Sequence, residues 1–103
     1  INLGSSLDIK GVRLDDILPT KVDFIKIDVD GTELEVLKGL QQTIESNSQL
    51  KMIIEYYPKY IRNMGYEPED VNNFLYKYFK CDIIKGDYGG EYWNYFCVRK
   101  NVL

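Results

Sequence analysis

The 103-residue chain contains no histidine. That removes the usual general base near neutral pH and the commonest zinc ligand. Acid–base chemistry is left to carboxylates, lysine, tyrosine or cysteine. Only two cysteines are present, Cys81 and Cys97, too far apart in sequence for a C-x-x-C motif. They read as isolated buried thiols, with a disulfide open if their strands pair. There is no excess of positive charge: the formal net charge is −3, which argues against binding a nucleic-acid backbone. No apolar run approaches the roughly 18 residues of a membrane span, and no charged-then-apolar leader opens the sequence. A cytoplasmic protein without membrane contact is expected. Proline is scarce, and its three residues (Pro19, Pro58, Pro68) serve as punctuation between elements.

What is present is a globular composition, 45% hydrophobic and 28% charged, in one domain or part of one. The chain begins at Ile1 without a methionine, which suggests a piece of a longer protein. The most informative stretch is Val22 to Leu40. Phe24, Ile25, Ile27 and Val29 form a nearly continuous apolar run, suited to a strand covered on both faces. Gly31 permits a sharp turn. Thr32 and Glu35 have capping-box spacing, so a helix should start at about Glu33 and run through Leu34, Leu37, Leu40 and Ile44. Lys26 sits within the apolar run, where its ammonium must be paired or reach water. Asp28, Asp30 and Glu33 thus crowd the carboxyl end of a strand, the edge where open α/β sheets bind ligands.

Before this stretch, a short strand is expected around Ile9 to Leu14, then a helical turn through Ile17 and Leu18 capped by Asp15 or Asp16. After it, Ser46-Asn47-Ser48 marks a loop and Lys51 to Tyr57 the next strand, ended by Pro58. A strand, a helix and a strand in this length make a parallel βαβ unit. Lys59 to Met64 reads as a short helix closed by Gly65. Pro68 to Phe79 reads as a longer one, with Val71, Phe74, Leu75, Tyr78 and Phe79 on one stripe. Cys81 to Lys85 and Tyr92 to Arg99 are strands joined by the glycine-rich loop 86–91, hence antiparallel.

Asp28-Val29-Asp30-Gly31-Thr32 resembles the D-x-D-G-T signature of haloacid dehalogenase-like phosphatases. That resemblance implies a nucleophilic Asp28, an acid–base Asp30 and magnesium, but little chain follows to supply the rest of that fold. A longer pattern competes with it. Leu14-Asp15-Asp16-Ile17-Leu18, then Lys26-Ile27-Asp28-Val29-Asp30-Gly31-Thr32-Glu33 with Val36-Leu37-Lys38-Gly39, then Ile53-Ile54-Glu55 resembles the FkbM family of S-adenosylmethionine-dependent methyltransferases. The family pattern is approximately L-D-D-L, K-I-D-V-E-G-A-E-x-x-V-L-x-G and a strand ending in Glu. Asp30 here replaces a Glu and Thr32 an Ala.

The family resemblance implies a class I methyltransferase fold: a partial Rossmann-like sheet, three-layered, with this chain supplying strands four to seven in the order 4-5-7-6. None of the eight glycines forms a G-x-G after an N-terminal strand. Residues 1–103 are therefore expected to be the C-terminal portion of a catalytic domain, inactive alone, using S-adenosyl-L-methionine in the intact parent. On this expectation Asp28, Asp30 and Glu55 are the catalytic candidates, with Asp28 also facing the cofactor. Glu33, Tyr56 and Tyr57 face the acceptor, a small-molecule or glycan hydroxyl, with Tyr92 and Trp93 nearby. No residue is assigned outright as a metal ligand. A carboxylate base and a divalent cation held by the carboxylates both remain open as ways to activate a hydroxyl. The open edge of the strand Phe24 to Val29 is expected to be covered by the missing N-terminal half or by a homodimer partner. A non-catalytic interaction module is the alternative from another functional class.

Overall fold

A computed structural model describes residues 12–86 and 91–100. The expected strand around Ile9 lies mostly outside the described residues. Its last residue, Leu14, instead opens a 3₁₀ turn, Leu14–Asp16. The elements that follow are β1 (Phe24–Ile27), α1 (Glu33–Gly39), α2 (Gln41–Ser46) and β2 (Lys51–Tyr56), then α3 (Pro58–Asn63), α4 (Pro68–Tyr78), β3 (Phe79–Gly86) and β4 (Trp93–Arg99). The sheet order is β1-β2-β4-β3. β1 and β2 are parallel, and β4 is antiparallel to both β2 and β3. This is the expected order 4-5-7-6, with the last strand of the chain inserted inside the sheet.

The helices pack on one face. Ile27 of β1, Met52, Ile54 and Tyr56 of β2, and Tyr95 and Cys97 of β4 join Leu37, Leu40, Ile44, Ile61, Val71 and Leu75 in a single buried cluster. Each large aliphatic side chain buried there contributes about 1.5–3 kcal/mol over an exposed one. The described residues thus form two layers, not three, and the thinnest dimension is 19 Å. The other sheet face carries Phe24, Lys26, Ile53, Glu55, Phe96 and Val98, none of them buried. The expectation that β1 is covered on both faces therefore fails. Phe24 is 50% exposed and only Ile27 is buried, because no helix of the described residues crosses that side.

The expected single helix through Ile44 is broken at Leu40, and the break has an identifiable cause. The Asp15 carboxylate accepts hydrogen bonds from the backbone amides of Gln42 (3.0 Å) and Thr43 (2.8 Å). In a continuous helix those amides would point to carbonyls four residues back. Asp15 therefore caps α2 from 27 residues away in sequence, rather than its own helical turn. Asn47 completes the clamp. Its side chain donates to the carbonyls of Thr20 and Thr43 and accepts from the Val22 amide, tying the approach to β1 against the end of α2. The Arg99 guanidinium of β4 in turn donates to the carbonyls of Ile44, Asn47 and Tyr78.

Burial raises the Asp15 carboxyl, but hydrogen bonds from Thr43 and Gln42 outweigh it and leave the group below its ordinary range. A lowered carboxylate pKa contributes stability above the unfolded pKa, and that stability is lost as pH falls through the folded one. Asp15→Ala is expected to cost about 1 kcal/mol near neutral pH, the usual value of an N-terminal cap. In urea denaturation the gap between variant and wild type should close in acid. A gap that persists at low pH would show that the carboxylate's charge is not what holds α2.

Candidate functional site

The site is built where β1 and β2 end side by side. Ile27 pairs with Ile54 in the parallel ladder, so continuing the register by one residue sets Asp28 opposite Glu55. Side chains alternate along each strand. Met52, Ile54 and Tyr56 face the helices, which leaves Glu55 on the other face. Asp28 falls on Glu55's side by the same alternation from Ile27. Asp30 joins them because the chain turns sharply: Asp30 has φ 52° and Gly31 φ 113°, both in the left-handed half of the map. Carboxylate oxygens of Asp28, Asp30 and Glu55 lie within 4.8 Å of one another.

Three carboxylates this close repel, and the response falls on Glu55. Desolvation raises its pKa first; Asp28, Asp30 and Glu33 raise it further, and Lys26 opposes them. Lys26 is exposed on the same face, so its ammonium reaches water as the sequence required. The triad offers only hard oxygen donors, suited to magnesium or calcium rather than zinc.

The turn is held differently from the expected capping box. Thr32 has φ −101° and ψ 23° and makes no side-chain cap. Its hydroxyl donates instead to the Val29 carbonyl (3.3 Å). Glu33, 2% exposed, folds its carboxylate back onto the Gly31 amide, with oxygens at 3.0 and 3.3 Å. Burial raises the Glu33 pKa, while the amides of Glu33, Gly31 and Val29 pull it down. Glu33 thus braces the turn from inside. Glu35, the expected partner of Thr32, is exposed.

The aromatic candidates fall into two groups. Tyr56 is buried among Trp93 (5.2 Å between ring centroids) and Tyr95 (5.4 Å), and its hydroxyl accepts from Asn72 (3.0 Å). Tyr56 and Trp93 are register partners on the helix-packed face, pointing away from Glu55. Tyr57 lies past the end of β2 and stacks on Tyr60 (4.1 Å) and Tyr92 (5.0 Å). Tyr60 went unread in the sequence. Its signal was the i, i+3 spacing from Tyr57 across a helix start marked by Pro58. Tyr60 also adjoins the acidic turn, since its carbonyl is the nearest atom to the position a Gly31 side chain would take. A groove of about 370 Å³ runs against β1, lined by Leu14, Ile25, Ile27, Val29 and Val36, with Asp28 among its walls.

No helix of the described residues is long and apolar enough to cross a membrane. Among proteins of curated function, none matches the chain. The profile of the family described as Methyltransferase FkbM domain matches residues 2–87. That span takes in the acidic turn, both parallel strands and all four helices. The Asp28–Thr32 turn accordingly belongs to a methyltransferase domain rather than to a phosphatase nucleophile loop. With the strand order and the carboxylate edge already in place, the match over most of the sequence makes this chain a member of the FkbM methyltransferase domain family.

Proposed function

We propose that the chain is the C-terminal portion of an S-adenosylmethionine-dependent O-methyltransferase domain, and that it supplies the acceptor side of the active site. The observation that carries this is the convergence of Asp28, Asp30 and Glu55 at the carboxyl end of β1 and β2 in a member of this family. The donor set fits the cofactor's charge: S-adenosylmethionine is cationic at its sulfonium and amino groups, and Asp28 offers a carboxylate beside the β1 groove. When bound, the cofactor supplies an electrophilic methyl group. The residues of this chain act on the acceptor. A hydroxyl between Asp28 and Glu55 donates its proton toward a carboxylate oxygen, which raises the nucleophilicity of the hydroxyl oxygen. Desolvation and the neighbouring carboxylates raise the Glu55 pKa, which suits that group to take up the proton. The same three carboxylates would hold a divalent cation, which would lower the hydroxyl's pKa instead. The Tyr57–Tyr60–Tyr92 stack supplies an aromatic wall for a small-molecule or glycan acceptor.

Among the described residues β1 pairs with β2 alone, and its other edge needs a cover. The parent domain's N-terminal portion provides it, or a second copy does. The decisive experiment incubates the parent protein with S-adenosylmethionine labelled in its methyl group and a panel of hydroxylated acceptors. Label on an acceptor oxygen is expected, and the 103-residue chain alone is expected to transfer none. A parent protein that binds no cofactor, or that labels only nitrogen or carbon, would sink the proposal.

A further inference from the structure

The two cysteines meet. Cys81 of β3 and Cys97 of β4 are register partners in the antiparallel ladder, and their sulfurs are 3.4 Å apart in hydrogen-bond contact. Directly opposed residues in such a ladder have Cα atoms about 4.5–5.5 Å apart. That lies within the roughly 4.4–6.8 Å a disulfide spans, so rotating the side chains is enough to bring the sulfurs together. Both thiols are free. They are also unequal. Cys97 is buried, while Cys81 is only partly buried, on the outermost of the described strands, and is the more accessible of the two. The hydrogen bond shared with Cys97 lowers the Cys81 pKa against the opposing effect of burial. Sharing that hydrogen bond, together with burial, raises Cys97. One thiol of the pair is thus the attacking group and the other keeps its proton in reserve, the arrangement of an attacking and a resolving cysteine.

We propose that Cys81 and Cys97 form a reversible intrachain disulfide on exposure to a hydroperoxide, making this strand pair a redox modification site. The Cys81 thiolate attacks a peroxide oxygen and breaks the O–O bond. Cys81 becomes a sulfenic acid, and the departing hydroxide or alkoxide takes back, through solvent, the proton that the Cys81 thiol released and leaves as water or alcohol. The Cys97 sulfur then attacks the sulfenyl sulfur. The S–S bond forms, the S–O bond breaks, and hydroxide leaves with the Cys97 proton as a second water. The two thiols lose two electrons and the peroxide gains them. The product ties the outer strand to its inner neighbour and closes the hairpin from Cys81 to Cys97, whose unfolded state then has fewer conformations. Nothing in this depends on the methyltransferase proposal.

The test treats the native 103-residue chain with hydrogen peroxide. The expected product is a monomer lighter by two hydrogen atoms, with the peptides containing Cys81 and Cys97 linked and the change reversed by dithiothreitol. The bond should form at least about tenfold faster in the folded chain than in guanidinium, since folding holds the reacting atoms together. Thermal unfolding should shift upward by several degrees. In Cys97→Ser the reaction should stop at a sulfenic acid on Cys81 that dimedone traps, and circular dichroism checks that this variant is folded. Two free thiols after treatment, linkage only between chains, or wild-type oxidation that accumulates on Cys81 without linkage would each overturn the proposal.

Discussion

Replacing Gly31 with alanine is expected to destabilise the domain by about 2–6 kcal/mol, from two costs that add. The first is the backbone. Gly31 has φ 113°, a conformation that residues with a Cβ rarely adopt, worth about 1–3 kcal/mol. The second is space. A Cβ there would lie 2.4 Å from the Tyr60 carbonyl oxygen and 2.7 Å from Met64 Cγ. Met64 can move, but the carbonyl cannot readily do so, because it accepts the Met64 amide at the end of α3 (3.1 Å). Overpacking of this kind costs about 1–3 kcal/mol more. Gly65→Ala is the control. It also has positive φ, 88°, but nothing lies within 4 Å of its Cβ position. It should lose only the backbone term, about 1–2 kcal/mol. Urea midpoints of the two variants at equal slope measure the difference. Equal losses would mean that α3 does not seat against the acidic turn.

Asp28→Asn in the intact parent enzyme should lower kcat by about 10²–10⁴-fold, the range for losing a group that takes part in proton transfer. The substitution keeps shape and removes charge. Asp28 is exposed and outside the core cluster, so the folded fraction should not change. The effect should therefore appear in turnover, checked beside a circular dichroism spectrum and a cofactor titration. A carboxylate that only bound the cofactor would change the cofactor's Kd and leave saturated turnover near wild type. Wild-type rates would remove Asp28 from the chemistry, leaving Glu55 and Asp30 as the candidates.

Much of the fold was legible because it rests on local signals. Pro68 starts its helix at the first turn, where a missing amide costs nothing, while Pro58, expected only to end a strand, opens α3 in the same way. Val71, Leu75 and Tyr78 are buried at the spacing their periodicity required, and Phe74 on the same stripe is half-buried; Phe79, expected as the end of that helix, is instead the buried first residue of β3. The hairpin strands pair as the glycine-rich segment between them implied. Site geometry was half legible. Asp28 and Glu55 were placeable from strand ends alone, and the ladder sets them opposite each other. Tyr56 was misread because nearness in sequence to Glu55 says nothing of direction: consecutive strand residues point to opposite faces. The capping box failed for a related reason. Thr32 and Glu35 have the right spacing, but the left-handed backbone at Asp30 and Gly31 presents an inward amide that Glu33 reaches first.

The acidic turn's residues, the order of strands and helices, and the membership of the chain in its family follow from amino-acid chemistry and spacing along the polymer. Short-range sterics and periodic burial dictate these, and both can be read without a partner. Three further features waited on tertiary structure: the break in the helix after β1, the pairing of two thiols 16 residues apart, and the face to which each tyrosine turns. Each depends on a contact whose two halves are distant in sequence, such as Asp15 on the Thr43 amide or Cys81 against Cys97. No local pattern encodes a distant partner, and only the assembled sheet and its single helical layer bring those groups within bonding range.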